Sequence, residues 1–107
     1  MNSKRKGNAG ERELLGILAE HGAACRNDQT FVGGVDNPDI SFRAAGRRFH
    51  VECKRAEKFN VYSAMEQAQR DANGHAIPLV VHRRSRHPWL VVLTLEDFLH
   101  LIASDIR

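Results

Sequence analysis

Residues 38–55 read PDISFRAAGRRFHVECKR, and this stretch decides the fold. Side chains of a β-strand alternate between its two faces, and apolar and polar residues alternate here on both sides of Ala45-Gly46. We therefore predict a β-hairpin with strands at Asp39–Arg43 and Arg48–Lys54. Its loop has two or four residues, and the longer one stays open because Ala45-Gly46 is not a preferred two-residue hairpin pair.

The register of this hairpin predicts which side chains share a face. If the apolar residues of both strands face the core, Ile40 pairs with Val51, and the next step sets Asp39 opposite Glu52. Lys54 then projects from the same face, one pleat further along the second strand. The pattern thus predicts two carboxylates and one ammonium group on one side of the hairpin.

Two opposed carboxylates indicate a bound cation. Like charges opposite each other destabilise a sheet by roughly a few tenths to 1 kcal/mol, and hard oxygen ligands suit Mg²⁺ or Mn²⁺ rather than zinc. Such an ion polarises a phosphodiester and lowers the pKa of its bound water, while a nearby lysine stabilises transition-state charge. The face has the groups for phosphodiester hydrolysis, although the same alternation also describes any half-solvated hairpin.

Helical periodicity on both sides of the hairpin predicts the rest of the fold. The expected order is α-β-β-α-β-β-α, an α/β fold with a mixed central sheet flanked by helices. A short strand near residues 24–26 is a further option. The predicted elements outside the hairpin are a helix from about Ala9 to His21, a helix at Tyr62–Asn73 capped by Asn60 or Ser63, strands at Pro78–His82 and Trp89–Leu93, and a helix that starts at Thr94 with Asp97 as its capping partner.

Length and charge bound the organisation. The 107 residues, 42% of them hydrophobic, supply one small core. We expect a single domain at residues 8–107, preceded by a basic flexible arm at residues 1–7. The net charge of +3, with lysine and arginine in three clusters, favours a polyanionic partner. A solvated surface with scattered cations is the alternative.

The cysteines and the apolar runs indicate the compartment. Cys25 and Cys53 lie far apart and in no CxxC pair, so neither a disulfide framework nor a zinc site is indicated. No apolar run is long enough to cross a membrane, and the first residues lack the apolar stretch that is typical of a signal peptide. We expect an intracellular, cytoplasmic protein without a membrane partner, associated with the nucleoid or viral within a host cell.

The hairpin motif resembles a known signature. Pro38-Asp39 followed by Glu52-Cys53-Lys54 is similar to the motif of the PD-(D/E)XK nuclease superfamily, and KGNAGEREL at residues 6–14 resembles the opening of archaeal-type Holliday junction resolvases. The resemblance spans about residues 4–95. It implies a restriction-endonuclease-like core and a Mg²⁺-dependent endodeoxyribonuclease, with Mn²⁺ as a substitute. It further implies a homodimer that resolves four-way DNA junctions in recombination and repair.

The resemblance also implies roles by position. Asp39 and Glu52 match the metal-binding acids, and Lys54 matches the catalytic lysine. Cys53 would offer its backbone carbonyl to the metal while its side chain stays in the core. Glu11 matches a first-helix acid near the metal; its alternative is a capping-box acid with Asn8. Gln67 matches a polar residue of the second helix that faces the site in these nucleases. Its alternative is a plain surface glutamine, and Gln69 is the weaker candidate for the same position.

The basic residues and the apolar C-terminal third indicate partners. Lys6, Arg12, Arg26 and Arg55 are candidate contacts to the DNA backbone, which position a duplex without reading its sequence. Thr30 stands where these resolvases often carry a serine. His50 reads as a satisfied or phosphate-contacting histidine. The apolar run at 89–93 favours a dimer interface over a merely central strand.

Two other functions stay open. A nuclease of the same fold with another task, such as nicking, restriction-like cleavage or end processing, would keep the same residues. A DNA-binding module that has lost catalysis would have no need of opposed carboxylates.

Overall fold

The computed structural model describes residues 3–23, 26–28 and 39–107, and the side chains of residues 9–23 and 40–107. No helix within these ranges is long and apolar enough to span a membrane. The elements in these ranges, in chain order, are α1 (Ser3–Glu20), β1 (Arg26–Asp28), β2 (Asp39–Ala44), β3 (Arg47–Arg55), α2 (Val61–Ala72), β4 (Ile77–Arg83), β5 (Leu90–Val92), α3 (Leu95–Ile102) and a 3₁₀ turn at Ala103–Asp105.

The strands form a mixed sheet in the order β1-β2-β3-β4-β5. β3 and β4 are parallel, whereas the other neighbours are antiparallel. Parallel neighbours need a crossover connection, which α2 provides. The predicted α/β fold with a mixed sheet and flanking helices is confirmed. The predicted order left β1 out and kept a short strand near residues 24–26 only as an option, because the sequence Arg-Asn-Asp of β1 has no apolar alternation that would indicate a strand.

Apolar clusters lie on both faces of the sheet. β4 contributes to both clusters, which explains its uninterrupted apolar sequence. The first cluster joins α1 to the sheet through Leu14, Ile40, Phe49, Val51, Leu79 and Val81. The second joins α2 to the sheet through Ala64, Met65, Ala68 and Val80.

The start of α1 differs from the prediction. The helix begins at Ser3, so residues 3–7 are helical where a flexible arm was expected. Lysine and arginine are good helix formers, and an interior glycine costs only about 1 kcal/mol relative to alanine. Asn8 is therefore an interior residue and not the N-cap, and the capping-box explanation of Glu11 is wrong.

The caps of the other two helices follow the sequence. The Asn60 side chain accepts a hydrogen bond from the Ser63 amide at 3.0 Å and caps α2, which decides between the two predicted caps. The Thr94 hydroxyl accepts one from the Asp97 amide at 3.1 Å and caps α3, as predicted. Each satisfies a backbone donor that a helix N-terminus otherwise leaves unpaired.

The hairpin has the predicted register and the shorter of the two predicted loops. Ile40 pairs with Val51 across β2 and β3. Ala45 and Gly46 form a two-residue turn with φ angles of 54° and 72°. Two positive φ angles are the requirement of the turn that matches the twist of a hairpin. An alanine in this left-handed region costs roughly 1 kcal/mol. Because this conformation is disfavoured for alanine, the sequence left a longer loop open.

Candidate active site

A charged pair lies on the face of β3 that α2 covers. Lys54 Nζ lies 3.7 Å from Glu52 Oε2 and donates a hydrogen bond to Gln67 Oε1 at 3.4 Å. The Glu52 side chain is 11% exposed and that of Lys54 33% exposed. Because both groups are partly withdrawn from water, their interaction exceeds that of a fully solvated pair. The structure thus holds an ammonium group between a carboxylate and an amide oxygen.

Small side chains let α2 lie close to this face. Ala64 and Ala68 pack with Val80, and Ala68 is fully buried. Gln67 precedes Ala68 on the helix, and the close approach brings its amide within reach of Lys54. Gln69, the weaker candidate, is exposed. Of the two helix-two glutamines, the geometry joins Gln67 to the site.

The main chain at Lys54 is held from β4. Lys54 pairs with His82 in the parallel ladder, and His82 Nδ1 donates a hydrogen bond to the Lys54 carbonyl oxygen at 2.9 Å. The His82 ring also packs on Phe59, with ring centroids 3.7 Å apart. These contacts fix the strand end from which Lys54 projects.

Further along the same face, three potential metal ligands meet. One ligand atom from each of His50, Glu52 and Asp71 lies within 4.8 Å of the other two. His50 is 6% exposed, and its Nε2 has no hydrogen-bond partner among the described residues. Asp71 is exposed and follows Gln67 by one helical turn. The donors suit a divalent cation, since carboxylate oxygens and imidazole nitrogens are both metal ligands.

Asp39 enters this arrangement through its backbone. It begins β2, and the register that pairs Ile40 with Val51, continued by one residue, brings Asp39 level with Glu52. Its side chain lies outside the described residues, so its carboxylate stays a predicted ligand. Pro38 and Thr30 lie outside the described residues, and of Lys6 and Arg26 only the backbone is described.

Glu11 and Cys53 lie towards the α1 side of the sheet. Cys53 packs against the α1 cluster, as expected for its side chain. Burial raises the pKa of the Cys53 thiol to about 12, and the carboxylates of Glu11 and Glu52 add to the rise. Burial also raises the pKa of the Glu11 carboxyl above its usual value. Glu11 thus lies near the strand that carries Glu52 and Lys54, but it is not part of the three-ligand group.

The remaining candidate DNA contacts differ in their surroundings. Arg12 is exposed. Arg55 lies 3.4 Å from Glu57 Oε2 and donates a hydrogen bond to Ser85 Oγ at 3.4 Å. A Cβ at Gly10 would clash with the Arg55 side chain, so this glycine lets α1 lie against the end of β3. Arg55 thus joins the end of β3 to the loop residues Glu57 and Ser85, and its role as a DNA contact stays a prediction.

Sequence reasoning missed Asp71 and an ion pair between distant residues. The spacing of Gln67 and Asp71 places them on one side of α2, a signal present in the sequence. Glu13 accepts hydrogen bonds from Arg83 at 2.6 Å and from the Trp89 ring nitrogen at 3.2 Å. These partners lie 70 or more positions away along the chain, so no local pattern could have indicated them.

Comparison with known proteins adds two findings. The sequence profile of the family described as "Phage putative PDDEXK endonuclease" matches residues 2–106. The structure of Archaeoglobus fulgidus Hjc, described as a Holliday junction resolvase from an archaeal hyperthermophile, is similar with a TM-score of 0.61 and 26% sequence identity. That likeness covers 82% of this chain and 72% of the other. No curated protein matches the sequence.

Because the Glu11 carboxyl is partly buried, we predict that its contribution to the free energy of unfolding depends on pH. Its folded-state pKa is raised, so it stabilises the fold below the unfolded-state pKa, and this contribution is lost as pH rises through the folded-state pKa. Glu11→Gln, which mimics the neutral form, should raise the free energy of unfolding at pH 7. The gain should vanish as pH falls below the usual glutamate pKa of about 4.3. Denaturant unfolding at both pH values, in a metal chelator, measures it.

The control for this experiment is Glu13→Gln, two residues away. Glu13 is paired with Arg83 and Trp89, so its neutral variant should lower the free energy of unfolding at pH 7. A Glu11→Gln protein less stable than the wild type at pH 7 would contradict the account of Glu11.

Proposed function

Because the chain belongs to the phage PD-(D/E)XK endonuclease family, we propose that it is a metal-dependent DNA endonuclease whose active site lies between β3 and α2. The observation that carries the proposal is the position of Lys54, held beside Glu52 and Gln67. A lysine and a carboxylate on the same strand face, partly shielded from water, suit phosphodiester hydrolysis better than a purely structural surface pair.

The donor set fits a divalent cation. Glu52 lies in a group of three side chains whose ligand atoms are mutually close, and Asp39 is its neighbour by backbone register. Hard carboxylate oxygens suit Mg²⁺, with Mn²⁺ as a substitute. When bound, the cation supplies charge neutralisation at the phosphate and an acidified water.

The side chains of this chain complete the chemistry. Lys54 carries a positive charge on the face where the phosphodiester would lie and stabilises the charge that develops on its oxygens. Glu52 and Gln67 hold the ammonium group in one position, so it need not reorganise as the charge develops. Gln67 is thus a positioning residue.

A branched DNA substrate is the finer part of the proposal. It is supported by the likeness to a structure described as a Holliday junction resolvase. The chain has a net charge of +3. None of the described helices resembles a recognition helix that enters the DNA major groove. Recognition by backbone charge and DNA shape follows, and binding should weaken with added salt. A phage nuclease of this kind would act inside the host cell.

The chain exposes apolar side chains that a second copy would cover. Leu95 is 70% exposed and Val91 59% exposed. Phe98 and Leu99 on α3 and Leu90 on β5 are also exposed. Among the described strands β5 pairs with β4 alone, and an exposed apolar edge invites pairing with another chain. We therefore propose a homodimer through β5 and α3, which would supply two active sites to one four-way junction.

Removal of either carboxylate should abolish cleavage. We expect Glu52→Gln and Asp39→Asn to lower the single-turnover rate with Mg²⁺ by at least about a hundredfold, because each would weaken binding of the cation that neutralises transition-state charge. DNA binding should be unchanged or stronger, because a negative charge is removed. The measurements are cleavage of labelled four-way, flap, nicked, linear and single-stranded DNA, and electrophoretic binding assays.

The matched control is Glu66→Gln, an exposed glutamate beside Gln67, which should cleave at the wild-type rate. Paired symmetric nicks on the junction alone support resolution. Equal cleavage of all substrates would show a general nuclease and not a junction resolvase. Binding without cleavage under Mg²⁺ or Mn²⁺ would show an inactive DNA-binding module. Unchanged rates in both carboxylate variants would contradict the site.

The dimer predicts a separable effect. Leu95→Glu with Phe98→Glu should give a monomer, because buried charges without partners oppose association. Light scattering after size exclusion measures the mass, and Glu96→Lys, at an exposed neighbouring position, is the control that should stay dimeric. Paired cleavage of a junction should become independent single nicks. A wild-type protein that is monomeric at micromolar concentration would contradict the proposal.

A further inference from the structure

We propose that His50 and Asp71 join Glu52 as direct ligands of one cation, and that this chain therefore binds Mn²⁺ and Co²⁺ more tightly than Mg²⁺. The inference rests on the proposed role of Glu52 as a metal ligand and names two ligands that the sequence motif does not contain. It makes the cation site a mixed nitrogen and oxygen site.

The first support is geometric. His50 and Glu52 are two residues apart on β3, so both point to the face that α2 covers. Asp71 reaches the same place from α2, one turn after Gln67. Ligands about 2 Å from one shared ion lie at most about 4 Å apart, and the ligand atoms of these three side chains already lie within 4.8 Å of one another.

The second support is the unpaired nitrogen of His50. Its Nε2 is fully buried and has no hydrogen-bond partner within the part of the chain that the structure describes, in a side chain that is 6% exposed. Buried polar atoms almost always have a partner, and leaving one unpaired costs stability. A neutral imidazole nitrogen is a metal ligand, so a cation beside Glu52 and Asp71 would provide the partner that the described side chains do not.

The chemistry of the donors sets the preference among cations. Mg²⁺ prefers oxygen ligands and keeps several waters, whereas imidazole nitrogen favours transition metals, with affinity that rises from Mn²⁺ to Co²⁺. Lys54 lies 3.7 Å from Glu52 on the side away from His50 along the strand. The ammonium group and the proposed cation would thus share the Glu52 carboxylate without occupying the same place.

The test uses the full chain and Mn²⁺ alone, without DNA. Electron spin echo modulation of bound Mn²⁺ should show coupling to ¹⁴N in the wild type. The coupling should vanish in His50→Gln and persist in His75→Gln, whose histidine is exposed. Circular dichroism of the His50→Gln protein checks that it is folded.

A second variant avoids the buried position. Asp71→Asn should weaken Mn²⁺ binding, measured by calorimetry, by about tenfold or more, as loss of a metal-site partner does. Asp105→Asn, an exposed aspartate outside the group, should bind as the wild type does. Mg²⁺ should bind more weakly than Mn²⁺ to the wild type.

The result that overturns the inference is Mn²⁺ binding without ¹⁴N coupling, unchanged affinity in Asp71→Asn, or no Mn²⁺ binding. Failure of the proposed function looks different, because it is measured by DNA cleavage. Mg²⁺-dependent cleavage lost in Glu52→Gln, together with oxygen-only Mn²⁺ coordination, would keep the nuclease and reject the nitrogen ligand. Nitrogen-coordinated Mn²⁺ together with no cleavage of any DNA would keep the nitrogen ligand and reject the nuclease.

Discussion

The close packing of α2 over the polar face of β3 is the constraint on which the site depends. A strand that is apolar on one side and charged on the other is stable only if its charges keep partners. Ala68 is fully buried against the sheet, and this close approach brings Gln67 onto Lys54. Glu52 Oε2 lies 3.7 Å from the Lys54 ammonium nitrogen. The same contact that builds the core thus shields and orders the charged groups.

The opposite face of β3 has a different task. Phe49, Val51 and Cys53 pack towards α1, and burial there makes the Cys53 thiol a poor acid, with its pKa raised to about 12. The motif residue between Glu52 and Lys54 is therefore a core residue by its side chain. The alternation of one strand explains why chemistry and packing occupy neighbouring positions in the sequence without interference.

The sequence was sufficient for the hairpin and for the order of the main elements around it, but not for the start of α1 or for the position of Asp71. Period-two alternation predicted that Ile40 pairs with Val51, because a slip of one residue would expose the whole apolar set. The predicted start of α1 was wrong. Lysine and arginine continue the helix towards the N-terminus, but they form no apolar stripe that would indicate a helix there. Helical spacing places Asp71 on the same side of α2 as Gln67, but its distance from His50 and Glu52 depends on where α2 crosses the sheet. Tertiary packing sets this crossing, and no local pattern encodes it.

The central claim is that a divalent cation binds on the α2 side of β3, at Glu52. Anomalous diffraction from crystals soaked in Mn²⁺ tests it most directly. The account predicts one strong peak about 2 Å from a Glu52 carboxylate oxygen, on the side of the sheet that carries Lys54 and Gln67. A strong peak elsewhere, or none beside Glu52 at millimolar Mn²⁺, would contradict it.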